Sequence, residues 1–397
     1  MSRRLRVPPL TLAQAFASAA GAIPMVVGAA RMPASEFAAF SVLVLVVIMA
    51  VGGVRAALLQ PALIHQRVAV GALVRARYAW TAFASALLVL VPAAWLLTMM
   101  PVAEAAVAGT AGAMPVLYEW ARYRSIGSSR RWLVAGADGL RAVLTLITLV
   151  PLIPAVTSSF MLVIGVSTAV PAIVILTLCP RPSTFAPYRA YRAAAGWQAI
   201  DFAIGQFIVS VPLIVLAGVG ADRLIAGARL AQTLLGPLNL AFSAASTNII
   251  ADGATDSAHA RAAAVISRGW RASWQLVTLA TAVVGGLVLF VWASGFSLRG
   301  VDHDFLLWGL IFVGSATVLS GWAGIHGIVL RVLGHQSSVT AVRVGIAAIT
   351  TAGFLIGFAV GGGEASLAAG FIANGVSAPL LFVPVALAHY RRDIRER

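Results

Sequence analysis

The sequence has little charge, one cysteine and no lysine. Charged residues make up 10% of the 397 positions, whereas soluble globular domains carry about 25%, so these residues cannot cover a water-soluble surface. The single thiol, Cys179, excludes an intramolecular disulfide and a multi-cysteine metal site. All 28 basic residues are arginine, which fits GC-rich codon usage and carries no chemical conclusion.

Familiar catalytic motifs are also missing. The chain has no GxxxxGK(S/T) phosphate loop, no HExxH and no GxSxG, and its six histidines are scattered without ligand spacing. We therefore expect no enzyme, no metal and no cofactor. The net charge of +15 does not indicate nucleic acid, because the arginines are spread over many short segments instead of one basic domain.

What the chain has is apolar sequence, with 60% hydrophobic residues and a mean hydropathy of +0.94. A run of about 20 apolar residues can cross a bilayer as a helix. Twelve runs of this kind predict an all-α integral membrane protein whose first span is not a cleaved signal. The predicted spans are 9–30, 37–60, 77–99, 102–121, 132–153, 159–179, 197–219, 223–250, 272–294, 304–330, 338–360 and 364–389.

The arginines predict the orientation of these spans. Twenty-two of them fall in the amino tail, the carboxyl tail and alternate gaps between the spans. The opposite gaps hold Arg31, Arg223, Arg299, Glu36, Glu104, Asp222, Asp302, Asp304 and Glu364. By the positive-inside rule, the arginine-rich side and both termini are cytoplasmic.

Two halves of six spans are predicted, 1–184 and 197–397, joined by a cytoplasmic linker at 185–196. The linker alternates aromatic residues with arginine, which is typical of an interfacial amphipathic segment or of an ordinary loop with aromatic anchors. Pro24 and Pro212 lie midway through the first and seventh spans. RSIGSSR, from Arg124, resembles RVLGHQS, from Arg331. These matches predict a duplication with parallel repeats.

Two arginines inside spans are candidate ligand-binding residues. An ionisable side chain in hydrocarbon costs about 3 kcal/mol even on lenient scales, so it normally faces a cavity or a partner. Arg55 in the second span and Arg229 in the eighth are predicted to line a central aqueous cavity and hold a phosphate or a sugar carboxylate. The alternative is that each snorkels to its nearer membrane face.

Two aspartates inside spans have a second interpretation. Asp138 and Arg141 lie three residues apart on one helical face, where they form a structural ion pair or a coupling site for a proton or cation. Asp201 is an interfacial helix-start residue or a gate.

Neutral polar residues extend the predicted binding region. Gln14 and Gln206 lie on the two proline-containing helices, and Gln232 and Asn239 flank Pro237 in the eighth span. Proline-interrupted spans at matching positions in two halves point to a transporter's binding site. Each amide alone is explained equally by an interhelical hydrogen bond.

Three segments carry a family resemblance. They are AARMPASEFAAFSVLVLVVIMAVGGVRAALL at 29–59, YEWARYRSIGSSRR at 118–131 and AQTLLGPLNLAFSA at 231–244. Across the whole chain the sequence resembles the O-antigen and teichoic acid export proteins of the multidrug/oligosaccharidyl-lipid/polysaccharide (MOP) flippase superfamily. The resemblance implies the fold of MATE transporters, with two six-helix bundles around a central cavity lined by spans 1, 2, 7 and 8. It also implies alternating access and coupling to a proton or sodium gradient.

The expected function is therefore a flippase for a lipid-linked oligosaccharide or polysaccharide in the bacterial plasma membrane. Its expected partners are the glycan substrate, membrane lipids, and the glycosyltransferases and polymerase of a glycan pathway. Twelve spans argue against a fourteen-span lipid II flippase, and a first span without a carboxylate puts the coupling ion in doubt.

Three alternatives to this flippase stay open. One is a multidrug or small-solute antiporter of the same fold, which predicts an acidic cavity for cationic cargo. Another is a major-facilitator transporter, although the loop at 65–78 lacks the aspartate usual in that fold. The last is a non-transporting scaffold for glycan assembly.

Overall fold

The computed structural model describes residues 9–59, 61, 76–128, 130–149, 154–179, 192–239, 241–242, 245, 249 and 258–395, and these residues form helices and short turns. The helices are α1 Pro9–Arg31, α2 Ala34–Val54 with a π-helical turn Arg55–Leu59, α3 Ala76–Thr98, α4 Val102–Gly127, α5 Arg131–Leu149, α6 Thr157–Leu178, α7 Arg192–Gly218, α8 Asp222–Leu234, α9 Ala258–Ser294, α10 His303–Val332 and α11 Gln336–Arg395.

Helix α11 consists of two arms that meet at a pair of glycines. Gly361 and Gly362 leave the helical conformation, and Gly362 has φ 70°, which a residue with a side chain rarely adopts. The first arm ends and the second begins where the sequence predicts the break between the last two spans.

Each of the twelve predicted spans contains a helix in the described part of the chain, so the all-α membrane fold is confirmed. Eight of the described helices are long and apolar enough to cross a membrane by length and composition: α1, α2 with its π-helical turn, α3, α6, α7, α9, α10 and α11. Several boundaries differ from the prediction, including the start of α9, which lies at Ala258 instead of 272. Helix α4 continues past 121 to Gly127, and α8 ends at Leu234, shortly before Pro237.

The chain divides into two compact units, Met1–Ala203 and Ile204–Arg397. The division falls within α7, a few residues after the predicted linker. Of that linker, 192–196 form the start of α7, and 185–191 lie outside the described residues.

In unit 1 the fourth helix is central. Helix α4 packs against α2, α3 and α6, while α1 packs along α5. Small residues allow α4 to approach its neighbours closely, as is common between membrane helices. A Cβ built on Gly109 would lie 2.7 Å from Val91 Cα, and one on Gly165 would lie 2.8 Å from Ala111 Cα. Larger side chains would push these helices apart.

In unit 2 the fourth helix of that half is central as well. Helix α10 packs against α8, α9 and α11. Helices α8 and α10 approach each other closely at Gly227 and Gly309, where a Cβ on Gly309 would lie 2.7 Å from the Gly227 carbonyl oxygen. Helices α4 and α10 thus each pack against the second and third helices of their own unit, and the duplication stays a prediction.

Charged residues form hydrogen bonds and ion pairs at the ends of helices within each unit. On the predicted outer side, Glu36 Oε1 accepts a hydrogen bond of 2.6 Å from the Thr157 backbone N–H at the start of α6, and Arg223 lies 3.6 Å from Asp302. At the other end of α6, Arg124 donates to the Cys179 carbonyl at 2.8 Å and Arg130 to the Leu178 carbonyl at 2.6 Å.

Candidate functional site

Unit 1 contains a group of charged and polar residues between its helices, and the centre of this group is buried. We call it the unit 1 charged cluster, and it comprises Gln14, Arg55, Tyr118, Glu119, Arg122, Asp138 and Arg141. Its members come from α1, the π-helical turn after α2, α4 and α5. The three residues from α4 are spaced i, i+1 and i+4, so they lie on neighbouring positions of one helical face.

Arg55 is held by a carboxylate. Arg55 Nε lies 2.9 Å and Nη2 lies 2.8 Å from Glu119 Oε1, so both nitrogens meet the same oxygen. The Arg55 side chain is 37% exposed, whereas that of Glu119 is 6% exposed. Arg55 also begins the π-helical turn, a backbone irregularity that recurs at functional sites. The guanidinium therefore lies at the accessible edge of the cluster.

The centre of the cluster is a second ion pair. Arg122 Nε donates to Asp138 Oδ2 at 3.0 Å, and the Tyr118 hydroxyl donates to Asp138 Oδ1 at 2.6 Å. Asp138 has no exposed surface. Arg122 Nη1 also lies 3.6 Å from Glu119 Oε1, so one guanidinium links the two carboxylates. Both oxygens of Asp138 have a donor, as a buried carboxylate requires.

Arg141 has a different partner from the one that its spacing predicts. Asp138 pairs with Arg122, and Arg141 instead lies over the ring of Tyr118, with its guanidinium carbon 5.6 Å from the ring centroid. The Nε of Arg141 is buried and has no hydrogen-bond partner among the described residues. Asp138 and Arg141 on α5 thus each contact a residue of α4, the first in an ion pair and the second over an aromatic ring. Gln14 joins the cluster at its edge, with its Oε1 3.5 Å from Arg122 Nη2.

The unit 1 charged cluster has an excess of positive charge. Three arginines face two carboxylates within it, which leaves one net positive charge. In a low-dielectric interior, an uncompensated charge is costly and attracts an ion of opposite sign. The arrangement suits an anion.

In unit 2 the predicted residue Arg229 is 6% exposed. Arg229 Nη1 donates to Gln232 Oε1 at 2.6 Å, and its Nε has no hydrogen-bond partner among the described residues. No carboxylate in the described part of the chain lies within salt-bridge distance of Arg229. Two of the predicted residues are therefore bonded to each other, and no carboxylate among the described residues neutralises the charge of the arginine.

The remaining predicted residues are dispersed. Gln206 accepts a hydrogen bond of 3.0 Å from the Ser210 hydroxyl one turn along α7. Asn239 is exposed, and Asp201 is buried on α7. Among the described residues, neither Gln206 nor Asn239 forms a hydrogen bond with Arg229.

Comparison with known proteins gives structural neighbours only. No family profile matches the sequence, and no curated protein sequence matches it. The structure is similar to an outward-facing multidrug resistance MATE family transporter of the MOP superfamily, with TM-score 0.68, 12% identity, and coverage of 98% of this chain and 95% of that one. An inward-facing form of such a transporter gives TM-score 0.65 and 14% identity, covering 96% of each chain. The lipid II flippase MurJ gives TM-score 0.64 and 11% identity, covering 97% of this chain and 89% of that one.

The chain has the fold of MOP-superfamily transporters. At these identities the likeness shows the fold alone. Because the neighbours include both multidrug transporters and a lipid-linked glycan flippase, the MOP fold leaves the cargo to be argued from the side chains.

Sequence reasoning missed three members of the cluster: Tyr118, Glu119 and Arg122. Arg122 was assigned to the cytoplasmic gap, but α4 continues past it and buries it. The signal that could have found them is Glu119, an ionisable residue inside the predicted span 102–121, three residues before Arg122 and therefore on the same helical face.

Proposed function

We propose that this protein is a flippase that moves a lipid-linked oligosaccharide or polysaccharide precursor from the cytoplasmic to the outer leaflet by alternating access. The observation that carries the proposal is the buried, net positive cluster of unit 1 in a protein with the MOP fold. An anionic group on the cargo balances this charge, and the phosphate groups that join a glycan to its lipid carrier are anions of this kind.

The chemistry of the arginines supports phosphate recognition. A guanidinium presents planar pairs of donors that match phosphate oxygens, and these bonds strengthen where water is excluded. Arg55 offers such a group at the accessible edge of its cluster. Arg229 offers a second one in unit 2, where the Gln232 amide holds it and no carboxylate of the described residues pairs with it. The proposal assigns recognition of an anionic group to Arg55 within unit 1 and, separately, to Arg229 within unit 2, with Gln14, Gln206 and Asn239 available to sugar hydroxyls.

A multidrug antiporter of the same fold is the second candidate, and the multidrug transporters among the neighbours are consistent with it. Its usual cargo is cationic, which requires acidic groups that are free to receive it. In the described residues of the cluster, both carboxylates already accept hydrogen bonds from arginine, and positive charge is in excess. The charge balance therefore favours the flippase.

The rest of the proposed mechanism follows from the expected family behaviour. Coupling to a proton or sodium gradient is proposed to involve Asp138 or Asp201. The proposed setting is the bacterial plasma membrane, with both termini cytoplasmic. The proposed partners are membrane lipids and the glycosyltransferases and polymerase of a glycan pathway.

Transport in liposomes tests the proposal. Purified protein is reconstituted with a fluorescent polyprenyl-pyrophosphate disaccharide, and the rate at which the label becomes accessible to an external quencher is measured with and without a proton or sodium gradient. We expect flipping by the wild type and by the control R299A, and at least a tenfold loss in the double variant R55A/R229A. Unchanged flipping in that variant would remove the proposed site. Movement of a cationic dye instead of the glycan lipid would favour the multidrug antiporter, and no transport of either would favour a scaffold.

A further inference from the structure

The position that a substrate phosphate would take on Arg55 is already occupied. In the structure, Glu119 Oε1 accepts from both Nε and Nη2 of Arg55, at 2.9 and 2.8 Å. These two nitrogens lie on one edge of the guanidinium, which is the edge that binds a pair of phosphate oxygens. A substrate can use this edge only when the carboxylate leaves it.

The surroundings of Glu119 allow such a displacement. Arg55 is 37% exposed and Glu119 is 6% exposed, so the arginine side chain, and not the carboxylate, is the group that an approaching anion can reach. Glu119 has a second cation nearby, because Arg122 Nη1 lies 3.6 Å from the same Oε1. A short movement of the carboxylate towards Arg122 would release Arg55 without leaving Glu119 unpaired. Arg122 in turn keeps its bond to Asp138.

The exchange discriminates between anions by charge. Glu119 is a carboxylate with a single negative charge, held within its own protein, so a free carboxylate gains nothing by replacing it and loses its own freedom of movement. A pyrophosphate carries more charge and more acceptor oxygens than the group it displaces. After the exchange, the excess positive charge of the cluster further favours the more highly charged anion.

We propose that Glu119 is a specificity-determining residue, an internal anion that a substrate must displace from Arg55 and that thereby selects pyrophosphate-linked cargo over cargo with a single carboxylate. The inference rests on the proposed function, since it concerns the same arginine. It assigns a role to a residue that topology and charge counting overlook.

Binding of two matched amphiphiles tests this role. The full-length protein in detergent is titrated with farnesyl pyrophosphate and with farnesoic acid, which share one chain and differ in the anionic group. We expect the wild type to bind the pyrophosphate and to bind the carboxylate at least tenfold more weakly. In E119Q the amide keeps an oxygen for Arg55 but has no charge. If the closed pair masks Arg55 about nine-tenths of the time, the variant binds the pyrophosphate about tenfold more tightly. We expect a still larger gain in affinity for farnesoic acid, so the preference for the pyrophosphate over the carboxylate becomes smaller.

Two further variants separate the Arg55 contact from the net charge. E119D keeps the charge but shortens the side chain, so it should also bind more tightly if the contact with Arg55 is what competes. D138N removes one charge from the same cluster at a residue bonded to Arg122 and Tyr118, so it should show a much smaller gain. Equal gains in D138N and E119Q, or no gain in E119Q and E119D when both melt as cooperatively as the wild type, would overturn the inference.

The variant R55A distinguishes this inference from the proposed function. It should bind farnesyl pyrophosphate at least tenfold more weakly than the wild type does. Wild-type affinity in R55A, or no binding of farnesyl pyrophosphate by the wild type, would count against the proposed binding site itself. Loss of binding in R55A together with no gain in E119Q and E119D would leave that site standing and remove only the role of Glu119.

Discussion

Replacing Asp138 by alanine should destabilise unit 1 more than any surface substitution. The carboxylate has no exposed surface and accepts from Arg122 at 3.0 Å and from Tyr118 at 2.6 Å. Its removal leaves a buried guanidinium with two more distant partners, Glu119 at 3.6 Å and the Gln14 amide oxygen at 3.5 Å, and a buried hydroxyl without its acceptor.

The magnitude follows from these contacts. Breaking a buried ion pair by removing one partner costs about 3–5 kcal/mol, and an orphaned buried hydroxyl costs about 1–3 kcal/mol. Membrane helices pay less per hydrogen bond, about 0.6–2 kcal/mol, because the unfolded chain in a bilayer also finds partners. Since Glu119 still compensates part of the charge of Arg122, we expect D138A to cost about 3 kcal/mol and Y118F about 1 kcal/mol.

Unfolding of the purified protein in mild detergent with increasing dodecyl sulfate, followed by tryptophan fluorescence, measures these costs. The matched control is E104A, which removes an exposed carboxylate at the predicted outer side. A double-mutant cycle between Y118F and D138A should show coupling of about 1 kcal/mol. The argument fails if D138A costs less than about 1 kcal/mol or no more than E104A, because Asp138 would then not be compensating the buried arginine.

Two further predictions concern packing and topology. G109L should lower the thermal midpoint by several degrees and reduce the yield of folded protein in size-exclusion chromatography, because its side chain would meet the backbone of α3. The control G136L, at an open position, should change neither quantity. Equal behaviour of the two variants would contradict the close approach of α3 and α4. The predicted orientation places the exposed residues Ser35 and Arg391 on opposite sides of the membrane. In a C179S background, the cysteine of S35C should therefore react with a membrane-impermeant maleimide in intact cells, and the cysteine of R391C should react only after lysis. The reverse pattern of labelling would show the opposite topology.

The helices were predictable because a bilayer imposes length and composition on any segment that crosses it. Even the break between the two arms of α11 was placed correctly, since Gly361 and Gly362 interrupt an apolar run. The end of α4 was not, because its last turns carry arginines that resemble a loop. Helical propensity does not exclude arginine, and the contacts that bury Arg122 and Arg124 come from residues far along the chain.

The candidate site was predictable only in part for a related reason. Charge inside a span identified Arg55, Asp138, Arg141 and Arg229, since hydrocarbon makes each of them costly. Their partners depend on how helices rotate against each other, and sequence spacing constrains only residues on one helix. Sequence spacing therefore suggested an ion pair between Asp138 and Arg141, whereas in the packing of α5 on α4 Asp138 forms its ion pair with Arg122.

Arg124 and Arg130 illustrate how one residue can serve both membrane insertion and the folded structure. While the chain is being inserted, we expect their charge to resist translocation and to help fix which end of each neighbouring helix lies on the predicted cytoplasmic side. Once the helices have assembled, the same side chains are hydrogen-bonded to the last carbonyls of α6. A lysine at either position would serve insertion equally well, but its single ammonium lacks the planar, pre-organised donors of a guanidinium. The hydrogen bonds of the folded protein therefore require the geometry of a guanidinium at these two positions, whereas membrane insertion requires only a positive charge.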